Sequence, residues 1–248
     1  MMGRPVRFSR LKLLAASPAH YHAQAVDETR CMEVGSAADA LILGTSPVVA
    51  YPGPVRRGKE WEAFRDAAEN AGKMIVTKSE LIEASAIREA VFANPRAVKL
   101  LQGEQQKEIF WTYCGRECVS HLDVLGPKGA FVTELKVSQT SNPVRFRWHA
   151  IKMLYHAQLA FYGSAVESAT GKKPRGYFIV CVESTPPHVV TLFRLTPKAM
   201  QLGEKCCRTW MERLIQCEAA DFWPGYSQTV VELDGPDDEW VESTGLPF

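Results

Sequence analysis

The stretch FVTELKVSQT, residues 131–140, decides how the chain is read. Side chains of an extended strand alternate between two faces. Phe131, Thr133, Leu135 and Val137 therefore point one way, and Val132, Glu134 and Lys136 the other. A carboxylate beside an ammonium is either a solvated strand face or the centre of a metal-dependent active site.

The flanking sequence supplies a partner for that strand. ECVSHLDVLG (117–126) and GAFVTELKV (129–137) are strand-like runs joined by GPKG (126–129), a hairpin-type connection. On the first run, Leu122 and Val124 share one face, and His121 and Asp123 the other. With the apolar face packed on a core beside Phe131, Leu135 and Val137, the side chains of Asp123, Glu134 and Lys136 are expected together on the opposite face. Two such carboxylates suit Mg²⁺, which prefers hard oxygen ligands. A bound divalent ion polarises a phosphoryl oxygen and acidifies a water. The lysine can orient that water or stabilise charge developing on phosphorus.

Composition narrows the classes. With 248 residues, 46% of them hydrophobic, the chain can bury a substantial core. A net charge of +1 means that any polyanion site must arise from local clustering of Lys and Arg. The seven cysteines (31, 114, 118, 181, 206, 207 and 217) form no regular framework. With no signal peptide evident, they predict reduced thiols in a cytosolic compartment. There is no pair of CxxC elements for structural zinc, and no apolar run of about 18 residues for a membrane span.

Along the chain, FSRLKLLAASPAHYHAQ (8–24) predicts two short helices, with Ser9 as N-cap of the first and Pro18 opening the second. VGSAADALILG predicts a small-residue helix ending at Gly44, and residues 55–71 a charged amphipathic helix closed near Gly72. Thr77 with Glu80 is a capping box opening a long helix that stops before Pro95. KEIFWTYC (107–114) reads as a strand preceding the hairpin. Residues 145–171 predict one long helix, and GYFIVCVES and HVVTLFRL two more strands. Residues 197–217 predict a final amphipathic helix, followed by a Pro/Gly-rich acidic tail. The whole predicts one α/β (α+β) domain, a central mixed sheet flanked by helices. Its mainly helical part covers 1–100, its sheet and helix core 105–195, and its C-terminal helix and tail 196–248.

These pieces resemble a known family. HLD (121–123) and ELK (134–136) follow the PD-(D/E)xK nuclease pattern of restriction-endonuclease-like domains. FSRLKLLAASPAHY (8–21) resembles the N-terminal signature of RecE-type, exodeoxyribonuclease VIII-like phage and prophage enzymes, relatives of lambda-exonuclease-like alkaline exonucleases. VGSAADALILG, RGKEWEAF (57–64) and KEIFW (107–111) correspond to further pieces, and YHAQLAFY (155–162) to the Tyr-x2-Gln-x3-Tyr helix of RecB-type nucleases. The resemblance implies that Asp123 and Glu134 ligate metal with the Leu135 carbonyl, and that Lys136 is the catalytic lysine. It places Gln158, with Tyr155 and Tyr162, against the same site. Glu108 is a secondary carboxylate. Asp39 stands where the family usually has histidine, and as an oxygen ligand it would complete a harder metal shell.

The resemblance further implies a 5′→3′ exonuclease on linear double-stranded DNA ends. It would depend on Mg²⁺, with Mn²⁺ as substitute, and make single strands for recombination with an annealing protein. The expected assembly is a ring-shaped trimer or tetramer, and the expected setting a bacterial cytoplasm with a phage- or prophage-encoded gene. An endonuclease or repair nuclease of the same fold is an alternative. So is an iron–sulfur RecB-like nuclease using Cys31, Cys206, Cys207 and Cys217, though the Cx2C element is missing. An inactive DNA-binding module is the third. Candidate DNA contacts are Tyr155, Tyr162, Ser17, His20, Arg145, His149 and Lys152, the last three on one helical stripe that equally reads as a solvated basic face. His22 and the Arg56, Arg57, Lys59 group are open in the same way. Trp148, Tyr155 and Phe161 read as core.

Overall fold

In a computed structural model, which describes residues 4–23 and 32–233, the strand-like runs form a five-stranded mixed sheet. Its strands are β3 (Glu104–Tyr113), β4 (Arg116–Leu125), β5 (Phe131–Ser138), β6 (Gly176–Glu183) and β7 (Val190–Arg194), in that spatial order. Only β5 and β6 run parallel. The crossover between them is helical: α7 (Pro143–Lys152) and α8 (Tyr155–Thr170). A small parallel sheet, β1 (Val48–Ala50) with β2 (Met74–Val76), lies outside the main one, and β1 carried no signal in the sequence.

A parallel pair needs cover on both faces, and both are covered. One face buries Val132, Ile179 and Cys181 against Leu159 and Phe161 of α8 and Trp210 and Met211 of α9 (Pro197–Ala220). The other buries Leu135, Val180 and Val182 against Ala37, Ala38 and Ile42 of α3 (Met32–Leu43) and Ile87 and Val91 of α5 (Lys78–Phe92). The expected apolar-in, polar-out hairpin is thereby corrected. Leu122 and Val124 enter different cores, and Glu134 is only 2% exposed.

Strands β4 and β5 pair at Val124–Thr133 and Leu125–Val132, then part. The freed edge of β4 is taken by the N-terminal segment. Val6 N–H donates to the Glu117 carbonyl (2.8 Å), and the Val6 carbonyl accepts from Val119 N–H (3.0 Å). This docks α1 (Phe8–Leu11) and the following 3₁₀ turn (Lys12–Ala15) beside the parting strands. Arg7, not Ser9, is the N-cap residue, and Ser9 is exposed.

Other helix ends follow local chemistry. Thr77 Oγ1 accepts from Glu80 N–H and Glu80 returns a carboxylate to Thr77 N–H, the capping box read from sequence. Gly44, at φ +64, closes α3. The charged helix α4 (Lys59–Asn70) starts later than expected, after Gly58, and the chain turns at Gly72 (φ +63). Past Pro95 a short helix, α6 (Pro95–Leu100), precedes β3.

The single helix expected over 145–171 is two. Leu154 sits in the left-handed region, φ +60 and ψ 34, and ends α7. That conformation costs a non-glycine residue about 1–2 kcal/mol, and the partly buried Leu154 side chain offsets it by packing on the core. On α7, Trp148 is 65% exposed, which corrects its reading as core; Tyr155 and Phe161 are buried as expected. The tail folds back over α2 (Pro18–Ala23): Trp223 stacks on Tyr21 at 5.9 Å, and the Pro224 carbonyl accepts from Ala19 N–H. Among the described residues no helix is long and apolar enough to cross a membrane. Cys31 lies outside the described residues.

Candidate active site

The site grows from the gap between β4 and β5. Asp123 stands next to Val124, where the β4–β5 pairing ends, and opposite Gln106, where the β3–β4 ladder skips a pair; it bridges the opening, its Oδ2 accepting from Leu135 N–H at 2.9 Å. Its Oδ1 receives the Gln106 amide at 3.3 Å. Glu134 and Lys136, two residues apart on β5, share the face toward α8, and Lys136 Nζ donates to Glu134 Oε2 at 2.8 Å.

α8 completes the wall. Gln158 Nε2 lies 3.1 Å from both Glu134 Oε2 and the Tyr162 hydroxyl. Lys136 Nζ stands 5.1 Å from the centre of the Tyr155 ring, whose hydroxyl is 3.3 Å from His149 Nε2. Glu134, Lys136, Gln158, Tyr155 and Tyr162 are thus brought together, the grouping that the family resemblance implied.

Asp39, on α3, approaches from the other side of the sheet's end. Its Oδ1 is fully buried and has no hydrogen-bond partner among the described residues. Burial first, then the charge of Asp123, pushes its carboxyl up to about 7, with Lys136 pulling the other way. That describes a carboxylate aimed inward, not a solvated helix-surface aspartate.

Glu134 behaves alike. Its Oε1 is buried without a donor among the described residues. Burial, then Asp123, pushes it up to about 8 against the opposing pull of Lys136. Burial alone would lower Lys136, but Glu134 and Asp123 more than offset it and hold the ammonium above its ordinary value. The lysine thus keeps its charge, and the buried carboxylate takes on proton affinity.

Three carboxylates therefore face one committed cation, and two buried oxygens, Asp39 Oδ1 and Glu134 Oε1, lack a donor among the described residues. An all-oxygen set with excess negative charge fits a hard divalent ion. Among the described residues no three His, Cys, Asp or Glu side chains converge as a ready-made metal group. Asp123 and Glu134 direct their other oxygens to Leu135, Gln106, Lys136 and Gln158 instead.

In front of these groups lies a cavity of about 380 Å³, lined by Lys136, Tyr155, Gln158, Tyr162, His121 and Lys12, among others. Lys12 belongs to the FSRLK signature. It has no hydrogen-bond or ion-pair partner among the described residues, and burial, then Lys136, lowers its pKa. The Ser-x-Leu-Lys spacing was the signal available for it. The other expectations scatter. Glu108 is largely exposed, 3.2 Å from His121 Nε2. Ser17 is 2% exposed and its hydroxyl is 2.7 Å from His20 Nδ1, while His20 packs near Tyr226. Arg145 and Lys152 are exposed on α7. Cys207 is buried with its thiol directed at the Ala157 carbonyl, apart from this site.

Residues 7–233 match the profile of a family described as a PDDEXK-like domain of unknown function (DUF3799). A crystal structure from Eubacterium rectale, provisionally described as an exonuclease, superimposes with a TM-score of 0.64 at 16% identity, over 98% of this chain and 94% of that one. A phage-related exonuclease from Haemophilus somnus gives a TM-score of 0.36 at 12% identity, over 86% and 95% of the two chains. No curated protein matches. The Eubacterium likeness extends the shared fold over nearly the whole chain.

Proposed function

The chain belongs to this PDDEXK-like family, and from that membership we propose that it is a divalent-metal-dependent deoxyribonuclease acting as an exonuclease on linear duplex ends. The observation that carries the reading is the gathering of Asp123, Glu134 and Lys136 at the parted strands, with donorless buried oxygens on Glu134 and Asp39.

In this reading Asp123, Glu134, Asp39 and the Leu135 carbonyl hold Mg²⁺, with Mn²⁺ as substitute. The chemistry supplied by that ion, when bound, is polarisation of a phosphoryl oxygen and acidification of water. The protein's own groups do the rest. Lys136, kept charged by Glu134, offers a fixed ammonium to the attacking water or to the charge that builds on phosphorus. Gln158 fixes the Glu134 carboxylate from α8, and Tyr162 fixes Gln158 in turn. The Tyr155 ring lies against the Lys136 ammonium, on the wall of the cavity that both line.

A 5′→3′ direction, delivery of single strands to an annealing protein, and a ring-shaped oligomer belong to the same proposal. Their support is the resemblance of the motifs at 8–21, 121–136 and 155–162. The test is digestion of linear duplex labelled at either the 5′ or the 3′ end, with Mg²⁺ and with EDTA, beside closed circular DNA. Stepwise release of the 5′ label, abolished by EDTA and absent on circles, is expected. Equal cleavage of circles would make the enzyme an endonuclease, and no cleavage in any arm would leave a binding module.

A further inference from the structure

Register pairs Glu108 with His121 and Phe110 with Val119, so these four side chains share one face of the β3–β4 ribbon. Ile109 and Trp111 point the other way, into the core under α8. On the outer face Phe110 is 67% exposed, on the edge strand of the sheet. A bare aromatic on an edge invites unwanted pairing unless something else uses it.

What surrounds Phe110 is guanidinium. It lines a cavity of about 910 Å³ together with Arg4, Arg7, Arg10 and Arg116. The Val6 bridge to β4 lays Arg4 and Arg7 along this groove. Arg10 is pinned over the Tyr21 ring at 4.8 Å and donates to the Tyr21 carbonyl, yet its Nε is buried without a partner among the described residues. Arg116 is held by Glu218 at 2.9 Å, and its Nε is likewise unpartnered. Against four cations stand two carboxylates: Glu218, engaged by Arg116, and Glu108, beside His121. Arg7 and Val119 line this cavity and also the one in front of Lys136, so the two adjoin.

We infer that this outer face of β3–β4 is a track for single-stranded DNA leading to or from the catalytic cavity, with Phe110 as its base-stacking platform and Arg4, Arg10 and Arg116 as its phosphate donors. The inference rests on the nuclease reading for its direction but not for its existence. Alternating aromatic and cationic groups suit single strands because every unpaired base offers a stacking face. A duplex buries those faces and would leave Phe110 idle. An acidic peptide would use the arginines but has no need of the ring.

The test is fluorescence anisotropy of labelled oligothymidylate on the full chain in EDTA, across a salt series, with polyglutamate and a duplex of equal length as comparators. Phe110→Ala is expected to weaken oligothymidylate binding about tenfold, with little effect on polyglutamate, and Phe110→Trp to restore it. Arg4→Ala is expected to reduce the slope of log affinity against log salt by about 0.7. Unchanged oligothymidylate binding in Phe110→Ala overturns the track, as does an equal loss of polyglutamate binding. Phe110 is exposed, so its variants keep the core. A chain that binds oligothymidylate through Phe110 yet hydrolyses no DNA overturns the nuclease reading and leaves the track standing.

Discussion

Asp123 Oδ2 accepts a hydrogen bond from Leu135 N–H at 2.9 Å, across the gap where β4 and β5 have ceased to pair. A side chain here replaces a ladder bond, so one residue both closes the opened sheet and presents a carboxylate inside it. Its two duties are separable by substitution. Asp123→Asn keeps an acceptor for Leu135 and should leave stability within about 1 kcal/mol, while Asp123→Ala leaves that N–H unpaired and should cost about 1–3 kcal/mol. Nuclease activity should fall at least about a hundredfold in both, a loss of roughly 2.7 kcal/mol of transition-state stabilisation. Urea denaturation alongside a duplex-degradation assay reads the two effects, and an active Asp123→Asn would remove it from the metal site.

The proton affinities of Asp39 and Glu134 set a pH dependence. Both are raised by burial, to about 7 and about 8. The folded chain therefore binds these protons more tightly than the unfolded one, and stability falls as pH rises. The contribution is complete below the unfolded carboxylate values near pH 4 and is lost as pH climbs through 7 to 8. Asp39→Asn imitates the protonated form without titrating. In EDTA the variant and the parent should be equally stable near pH 4, with the variant ahead on the order of 2 kcal/mol by pH 8. A constant difference from pH 4 to 8 would show that Asp39 does not titrate in this window.

Ion binding should run against those protons. Ligand carboxylates must ionise before they can coordinate, so Mg²⁺ should raise the melting temperature more at pH 8 than at pH 6. Glu134→Gln should abolish most of that rise at both values, whether or not the DNA assay succeeds. A Mg²⁺ shift that ignores pH, or that survives Glu134→Gln, would place the ion elsewhere.

Much of this site was legible because its information is local. Alternation puts Glu134 and Lys136 on one face, and helical spacing puts Tyr155, Gln158 and Tyr162 along one side of α8. The capping box at Thr77 and the turn at Gly44 are likewise written in adjacent residues. What escaped depends on distant partners. The break at Leu154 has no proline or glycine to announce it, so the apolar period runs through it. The burial of Glu134 follows from α8 covering that face of β5, which strand alternation alone cannot report. Val6 joins β4 because β5 leaves it, and Phe110 is bare because its face of β3 lies outside both cores. Both facts belong to the assembled sheet.

The placement of Gln158 also depends on a residue that touches nothing in the site. Gly203, on α9, lies where α8 comes closest: a Cβ there would collide with the His156 carbonyl oxygen and stand 2.8 Å from Ala160 Cβ. Both obstacles belong to α8, and one is backbone, so the clash cannot be relieved by turning a side chain. Gly203→Ala must push α8 and α9 apart, which should cost about 1–3 kcal/mol and shift Gln158 and Tyr162 relative to Glu134. Turnover should fall more than substrate affinity does, because the displaced groups hold the carboxylate and not the DNA. Leu202→Ala, at a neighbouring position 53% exposed, should stay within about 0.5 kcal/mol of the parent and keep full activity. If Gly203→Ala loses stability yet retains turnover in conditions where it is folded, the positioning of Gln158 by α8 does not matter to catalysis.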